Sequence, residues 1–447
     1  MAEAADNPPT VAAAAETAPA AGSTKPSARV EVIFRRELLP WTLLGLTCGL
    51  VEGATVAVLV KKGYAGLVAP HWVNLAVAML SGAPALANIS SFAWANLAHG
   101  RARINLLAGL QAAFAVTVAL IALAPIAASG LLMTLIAVIA ARITWAGILT
   151  VRAAVWSANY PRHVMARITA RMVTVGALGV AASALLAGSI IDVSPRAARW
   201  LYVVAGLCGL LAAYRYRAVR VRREYQLLAS EAGEGMASSA FSLSMLRDIL
   251  RDDPLFRRYM FWLGLYGSGN LMVSAQLVVL FSDRMHLRSL TQIMLLTVTP
   301  MLMMPLFLPW WARMFDAGHI IEYRSRQCWA LVAAIAIMLL AILLRQGWML
   351  WPGAILIGVS YAGANLGWNL GHNDFATQGR SQHYMGVHVT LTGVRGLLAP
   401  PLGMLCYEWF EWLRPGTGVA AMALPLGLIT AGAFGFLSMR GQTMAER

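Results

Sequence analysis

Continuous runs of about 20 apolar residues recur along this chain, and that length matches the ~30 Å of hydrocarbon a helix crosses at about 1.5 Å per residue. In lipid no water satisfies backbone N–H and C=O groups, so a spanning segment must be a helix or part of a closed β-barrel. Barrel strands alternate polar and apolar residues. These runs do not alternate; they are rich in Leu and Ala and studded with Gly. The expected fold class is an all-α polytopic membrane protein. With 59% of residues hydrophobic and 12% charged, where a soluble domain has about 25% charged, an ordinary soluble enzyme is excluded.

Twelve transmembrane helices are expected, at 39–60, 72–93, 104–125, 131–152, 167–190, 200–215, 259–282, 290–310, 327–345, 349–371, 386–407 and 417–438. The one long hydrophilic interior stretch, about 216–258, divides them six and six and opens with Arg215, Arg217, Arg220, Arg222 and Arg223. The expected organisation is a disordered cytoplasmic tail over 1–35, a six-helix bundle over 36–216, a cytoplasmic linker over 217–257 and a second bundle over 258–440. In the linker, Phe241, Met245, Leu246, Ile249 and Leu250 recur at helical spacing opposite Arg247, Asp248 and Arg251, the pattern of a short helix lying on the inner membrane surface. Residues 1–28 are rich in Ala, Pro, Thr and Ser and lack a basic n-region, so they do not read as a signal peptide.

A net charge of +15 would suggest a nucleic-acid partner in a soluble protein. Here most of the 35 Lys and Arg fall on one side of the expected membrane, which by the positive-inside rule places both termini in the cytoplasm. No basic stretch is interleaved with aromatics as a base-stacking surface requires, so no nucleic acid is expected as a partner. Of the 15 Trp, all but Trp145 lie at or near an expected span end, as an interfacial belt would have them. Cys48, Cys208, Cys328 and Cys406 fall inside spans without paired spacing, which supports neither a disulfide framework nor a metal site. Arg outnumbers Lys 32 to 3, the bias of a GC-rich bacterial genome, and the expected location is the bacterial inner membrane.

The halves repeat. Trp94 to Arg101 closes the second span and Trp311 to Gly318 the eighth, at an offset of 217. Trp156, Arg162, Met165 and Gly188 recur as Trp368, Arg380, Met385 and Gly403 at offsets of 212, 218, 220 and 215. Landmarks at nearly one spacing, each at the same place in its half, indicate two six-helix units in parallel orientation.

Twelve spans in two sixes, a central cytoplasmic loop and a motif repeated in the 2–3 and 8–9 loops resemble the major facilitator superfamily of secondary transporters, over about residues 36–440. That family carries a Gly-x-x-x-Asp-Arg-x-Gly-Arg-type gating motif in the 2–3 loop. The first copy here keeps Gly100, Arg101 and Arg103 but offers His99 near the Asp position; the second, after Arg313, keeps Asp316 and Gly318 but lacks the following Arg. The family's antiporter-type Pro motif is missing from the fifth span, where Gly176-Ala177-Leu178-Gly179 runs on without proline. A Gly396 to Gly403 run containing Pro400 and Pro401 in the eleventh looks like a displaced relative. The resemblance implies a central cavity lined by the first, fourth, seventh and tenth helices, with the second, fifth, eighth and eleventh between the halves.

A charge at mid-bilayer costs roughly 2.5–3.5 kcal/mol on insertion scales and needs a partner or a wet cavity. Three charged residues fall clearly inside spans: Glu52, Arg142 and Arg395. In the resembled fold Glu52 and Arg142 would face one cavity at similar depth. Burial disfavours the charged form of a carboxylate and a nearby Arg favours it, so Glu52 is a candidate carrier of a coupled proton; a fixed Glu52–Arg142 ion pair is the alternative. Arg142 and Trp145, three apart on one face, are a candidate clamp for a ligand anionic at one end and flat or apolar at the other. His388 and Arg395 are two turns apart on one face of the eleventh span. Asn270 and Gln276 in the seventh, and Asn365, Trp368 and His372 along the tenth, complete the candidate lining. One acidic and two basic groups favour an anionic or amphiphilic solute.

The 10–11 loop gathers His372, Asn373, Asp374, Gln378, Arg380 and His383. A membrane-embedded transferase or hydrolase using His372 or Asp374 as base is the competing function class. The 4–5 loop is similarly polar, with Asn159, Arg162, His163 and Arg167, as gating loops in both halves would be, and no nucleotide-binding loop, HExxH, GxSxG or Cys/His ligand spacing appears. A non-transporting assembly or sensor protein on the same scaffold is the third class. The expected function is alternating-access transport of a small solute, proton-coupled through Glu52 or by facilitated diffusion, by a monomer in a lipid bilayer and without a cofactor.

Overall fold

The computed structural model describes residues 28–222, 224–233, 243–376 and 380–441, and among them there is no strand. Among the described residues eleven helices are long and apolar enough to cross a membrane: Pro70–Ala98, Arg103–Leu123, Ala128–Asn159, Arg167–Val193, Pro195–Tyr216, Pro254–Asp283, Ser289–Asp316, Ile320–Leu344, Gly347–Asp374, His383–Leu413 and Gly418–Met439. The remaining pass, the first, is made of two helices, Ala28–Gly49 and the short Thr55–Gly63, with a break between them. Most of the expected tail lies outside the described residues; the chain is already helical from Ala28, inside the 1–35 segment read as disordered.

The first helix packs on the fifth and sixth, the third on the fourth and sixth, and the second on the fourth. The second half repeats this: the seventh packs on the eleventh and twelfth, the ninth on the tenth and twelfth, and the eighth on the tenth. The result is two parallel six-helix repeats. They meet where the second helix lies on the eleventh and the fifth on the eighth. Lipid gives helices no hydrophobic reason to associate, so close packing of small residues does the holding. A Cβ on Gly45 would sit 2.8 Å from the Gly176 carbonyl oxygen, and between the halves a Cβ on Gly82 or Gly396 would strike the backbone of the other helix.

The repeated tryptophans have a structural role. Trp94 Nε1 donates to the Ile143 carbonyl of the fourth helix (2.9 Å), and Trp311 Nε1 to the Val359 carbonyl of the tenth (2.8 Å). Each indole lies against a glycine on that helix, Gly147 and Gly363, where a Cβ would come within 2.9 Å of the ring. Trp41, Trp156 and Trp311 are thus interior residues, 8%, 8% and 3% exposed, and leave the interfacial belt to exposed residues such as Trp72, Trp200, Trp348 and Trp412. Proximity to a span end cannot separate a belt Trp from one that pins two helices. Trp94→Phe and Trp311→Phe keep a benzene ring but lose the donor and the fused five-membered ring. Each is expected to cost about 1–3 kcal/mol, and the pair their sum, read as shifts in the unfolding midpoint of the purified protein.

The linker contains a helix, Leu243–Asp252; Phe241 of the expected apolar stripe lies outside the described residues. Ile249 is 4% exposed, and Met245, Leu246 and Leu250 pack with the core. The helix contacts the seventh and eleventh helices. Its apolar face is covered by protein rather than laid on lipid.

Candidate functional site: a cavity at the broken first helix

Between Leu50 and Ala54 the first helix is interrupted. Gly53 has φ +55, a left-handed conformation that costs Gly little and other residues roughly 1–2 kcal/mol. Non-helical backbone at membrane depth is tolerated only where protein or a cavity receives its polar groups. Here the Leu50 carbonyl accepts from Tyr202 Oη (3.0 Å), the Val51 carbonyl accepts from Arg142 Nη2, and Ala54 N–H donates to Thr297 Oγ1 (3.1 Å) on the eighth helix. Thr297 belongs to a π-helical turn, Met294–Val298, a distortion frequent at functional sites. Irregular segments of the two halves therefore face each other across the centre of the protein.

A cavity of about 170 Å³ opens there. Its polar lining comes from Glu52, Ser81, Asn270, Ser274, Thr297 and Tyr361, and its apolar wall includes Leu296, Leu331, Ile335 and Ile357. The Glu52 side chain is 25% exposed; the Arg142 side chain, at 2%, lies behind it and closes the ion pair at 2.5 Å. Cys48 Sγ also donates to Glu52 Oε2, at 3.5 Å. The sequence pairing of Glu52 with Arg142 is met, but only Glu52 reaches the cavity. The lining thus holds one acidic side chain and neither of the arginines expected there.

Other candidates separate. Trp145 stacks on Trp41 (5.8 Å) and tilts against Phe114 (5.1 Å), so Arg142 and Trp145 form no clamp. Gln276 is fully buried and donates to the Gly403 carbonyl (2.7 Å), tying the seventh helix to the eleventh. Asn270 does line the cavity. Asn365 is exposed and bonded to Asn369. Trp368 meets His388 edge to face at 4.3 Å. Arg395 reaches back to the Leu263 carbonyl (2.5 Å) and to Thr392. His372 is 7% exposed, and Asp374, itself exposed, accepts from Ile320 N–H (2.6 Å) at the start of the ninth helix, a helix-capping role. Gln378 lies outside the described residues. In the gating loops Gly100 has φ +67, Arg101 is exposed and Arg103 buried. His99 ends the second helix with extended backbone. Arg313 and Asp316 are exposed, and among the described residues neither enters an ion pair; Gly318 lies beside the Glu322 carboxylate.

Polar contacts between described residues of opposite halves lie at mid-membrane and at the end remote from the tail. At that far end Lys61 Nζ joins Asp283 Oδ2 and Asn74 Oδ1, both at 2.7 Å, and Asn74 Nδ2 donates to Glu408 Oε1 (2.6 Å). Asp192, at the end of the fifth helix, accepts from Ser289 and Leu290 N–H at the start of the eighth (2.7 and 3.1 Å). Asp192 and Glu408 are 216 apart, so each half supplies a carboxylate that accepts from the other half, Asp192 from backbone N–H groups and Glu408 from the Asn74 side chain. These contacts tie the two halves together at the far end. Lys61, at the edge of its span, was not singled out from sequence; two consecutive Lys in a chain with three was the signal. Asp283 is 44% exposed, which limits the pair to about 1 kcal/mol. Lys61→Met is expected to speed labelling of Asn270→Cys by an impermeant thiol reagent from the far side several-fold; unchanged labelling would show that Lys61 does not limit access from that side.

The sequence profile of the Major Facilitator Superfamily matches residues 42–400, and the chain belongs to that family of secondary transporters. It is a multi-pass membrane protein with a transporter's fold. Among solved structures it is similar to a mutant form of the nucleoside transporter NupG (TM-score 0.72, 11% identity, 91% of this chain and 99% of that one). It is also similar to a D-xylose–proton symporter (0.68, 13%, 91% and 97%) and to a POT family transporter solved with a thioalcohol-conjugated peptide (0.66, 13%, 92% and 96%). No curated protein matches the sequence.

Proposed function

We propose that the protein is a proton-coupled transporter that moves a small amphiphilic solute by alternating access, with Glu52 as the proton carrier. The observation that carries this is the placement of one carboxylate in a break of the first helix, where it both lines the cavity and neutralises a buried arginine. Broken helices at mid-membrane are where transporters place substrate and coupling ions. Protonating Glu52 leaves the Arg142 guanidinium without a counter-charge in a low dielectric, and an arginine cannot shed its proton. A conformation that hydrates Arg142 is then favoured, so proton binding acts on the break and, through Ala54 and Thr297, on the contact between the halves.

The solute is read from the lining. Amide and hydroxyl groups on one wall and aliphatic side chains on the other suit a solute with hydrogen-bonding groups and an apolar body. At about 170 Å³ the cavity is smaller than the ~300 Å³ usual for drug-sized ligands, which limits what it holds in this conformation. With the basic loops cytoplasmic, the far end, where contacts tie the halves together, faces outward, which supports an inward-facing or occluded state. The membrane we propose is the bacterial inner membrane. Facilitated diffusion is the reading if Glu52 only holds Arg142. The test is flux of a solute panel into proteoliposomes with and without an imposed pH gradient. Flux that depends on the gradient is expected for amphiphiles that fit; saturable flux indifferent to it would leave a uniporter.

A further inference from the structure

In the first half Arg142 and Arg152 have carboxylates near them. Arg142 pairs with Glu52, and Arg152, sandwiched between Trp41 and Trp156 at 3.8 and 4.3 Å, lies within electrostatic range of Glu37. The second half is different. Arg324 is 3% exposed, and its Nη1 donates to the neutral Gln327 Oε1 (2.9 Å) while Nε has no acceptor. Arg395 donates to the Leu263 and Leu391 carbonyls and to the Thr392 hydroxyl, again all neutral. His388, 1% exposed with Nε2 unpartnered, feels the charge of both. Among the described residues no Asp or Glu forms an ion pair with either arginine.

Each guanidinium occupies a slot made by a glycine. A Cβ on Gly367 would come within 2.6 Å of Arg324 Nη2, and one on Gly267 would overlap Arg395 Nη1. The hydroxyl of Tyr259, on the seventh helix, lies in electrostatic range of both. Two guanidiniums that cannot discharge by losing a proton, set in the protein interior with only neutral acceptors, carry a desolvation cost that an anion offsets. Guanidinium forks also match the paired oxygens of carboxylate and phosphate.

We propose that Arg324, Arg395 and His388 form an anion site in the second half, taking a carboxylate or phosphate group. The site is separate from the cavity that Glu52 lines. Its oxyanion is either a free inorganic ion or the anionic end of the transported solute, and in the second case it adds a class to the amphiphilic solute inferred above. Only that second case rests on the transport reading.

The experiment is thermal unfolding of the purified protein titrated with inorganic phosphate, acetate or chloride at ionic strength held constant with a bulky sulfonate. A saturable rise in midpoint with phosphate or acetate is expected for wild type and for Glu52→Gln, and its loss in Arg395→Gln and Arg324→Gln. Should Arg324→Gln not give a monodisperse protein, Arg395→Gln decides, because Arg395 is the more accessible residue and Arg395→Lys controls for charge. Acetate and phosphate acting alike indicate a free-ion site; a response to larger carboxylates that also compete for uptake indicates the solute's own anionic end. No saturable response, a response to chloride alone, or an equal response in both Gln variants overturns the proposal. Persistence in Glu52→Gln separates its fate from that of proton coupling.

Discussion

Glu52→Gln is expected to reduce pH-gradient-driven solute accumulation to background while solute exchange between equal pools persists. Gln has nearly the same shape as Glu, and its amide oxygen can still accept from Arg142 Nη1, now 2.5 Å from Glu52 Oε2. The variant therefore removes the titratable charge with little change in shape. Exchange needs the halves to rock with solute bound but needs no net proton movement, so it is the readout that survives. If the pair were only a fastener, losing its charge would lower stability, and any flux by correctly folded protein would keep its gradient dependence. The two outcomes differ in kind, and a purified sample of known monodispersity separates them.

Arg142→Ala is expected to cost about 3–5 kcal/mol of stability, the larger structural effect of the two. Arg142 donates to Glu52 and to the Val51 carbonyl, so its removal leaves unmet groups in the helix break. It also empties the volume of one of the largest fully buried side chains in the protein. Arg142→Lys keeps the charge but not the two-pronged donor, and it should fall between Ala and wild type. The unfolding midpoint and the yield of monodisperse protein measure both. An Arg142→Ala protein as stable as wild type would mean that the break is held by Tyr202 and Thr297 alone.

The sequence carries the twelve passes and their division in two because hydrophobic run length is set by bilayer thickness and needs no tertiary knowledge. The repeat was legible for a sharper reason: Trp94 with Gly147, and Trp311 with Gly363, make the same contact in each half, so the residue spacing records a packing constraint. Glu52 and Arg142 were found because charge inside an apolar run is expensive. Glu37 and Arg324 were missed although both are buried to within a few per cent. They lie two and three residues outside their expected spans, and hydropathy alone does not fix a helix end that closely. The break in the first helix was hidden too. Gly49 and Gly53 bracket it, but glycine is common in membrane helices, and whether one opens a helix depends on partners such as Tyr202 and Thr297 far along the chain. The Arg142–Trp145 clamp failed because a shared helix face does not fix which neighbour a side chain meets; Trp41 and Phe114 already enclose the indole.

Proton movement measured during solute transport tests the coupling claim most directly. Proteoliposomes loaded with a pH-sensitive dye, clamped at zero membrane potential and given a transported solute with no initial pH gradient, should show a change in internal pH that scales with uptake. The same vesicles carrying Glu52→Gln should show none. Uptake of the solute without any pH change in wild type, or an equal change in the Glu52→Gln protein, would contradict the assignment of Glu52 as the proton carrier.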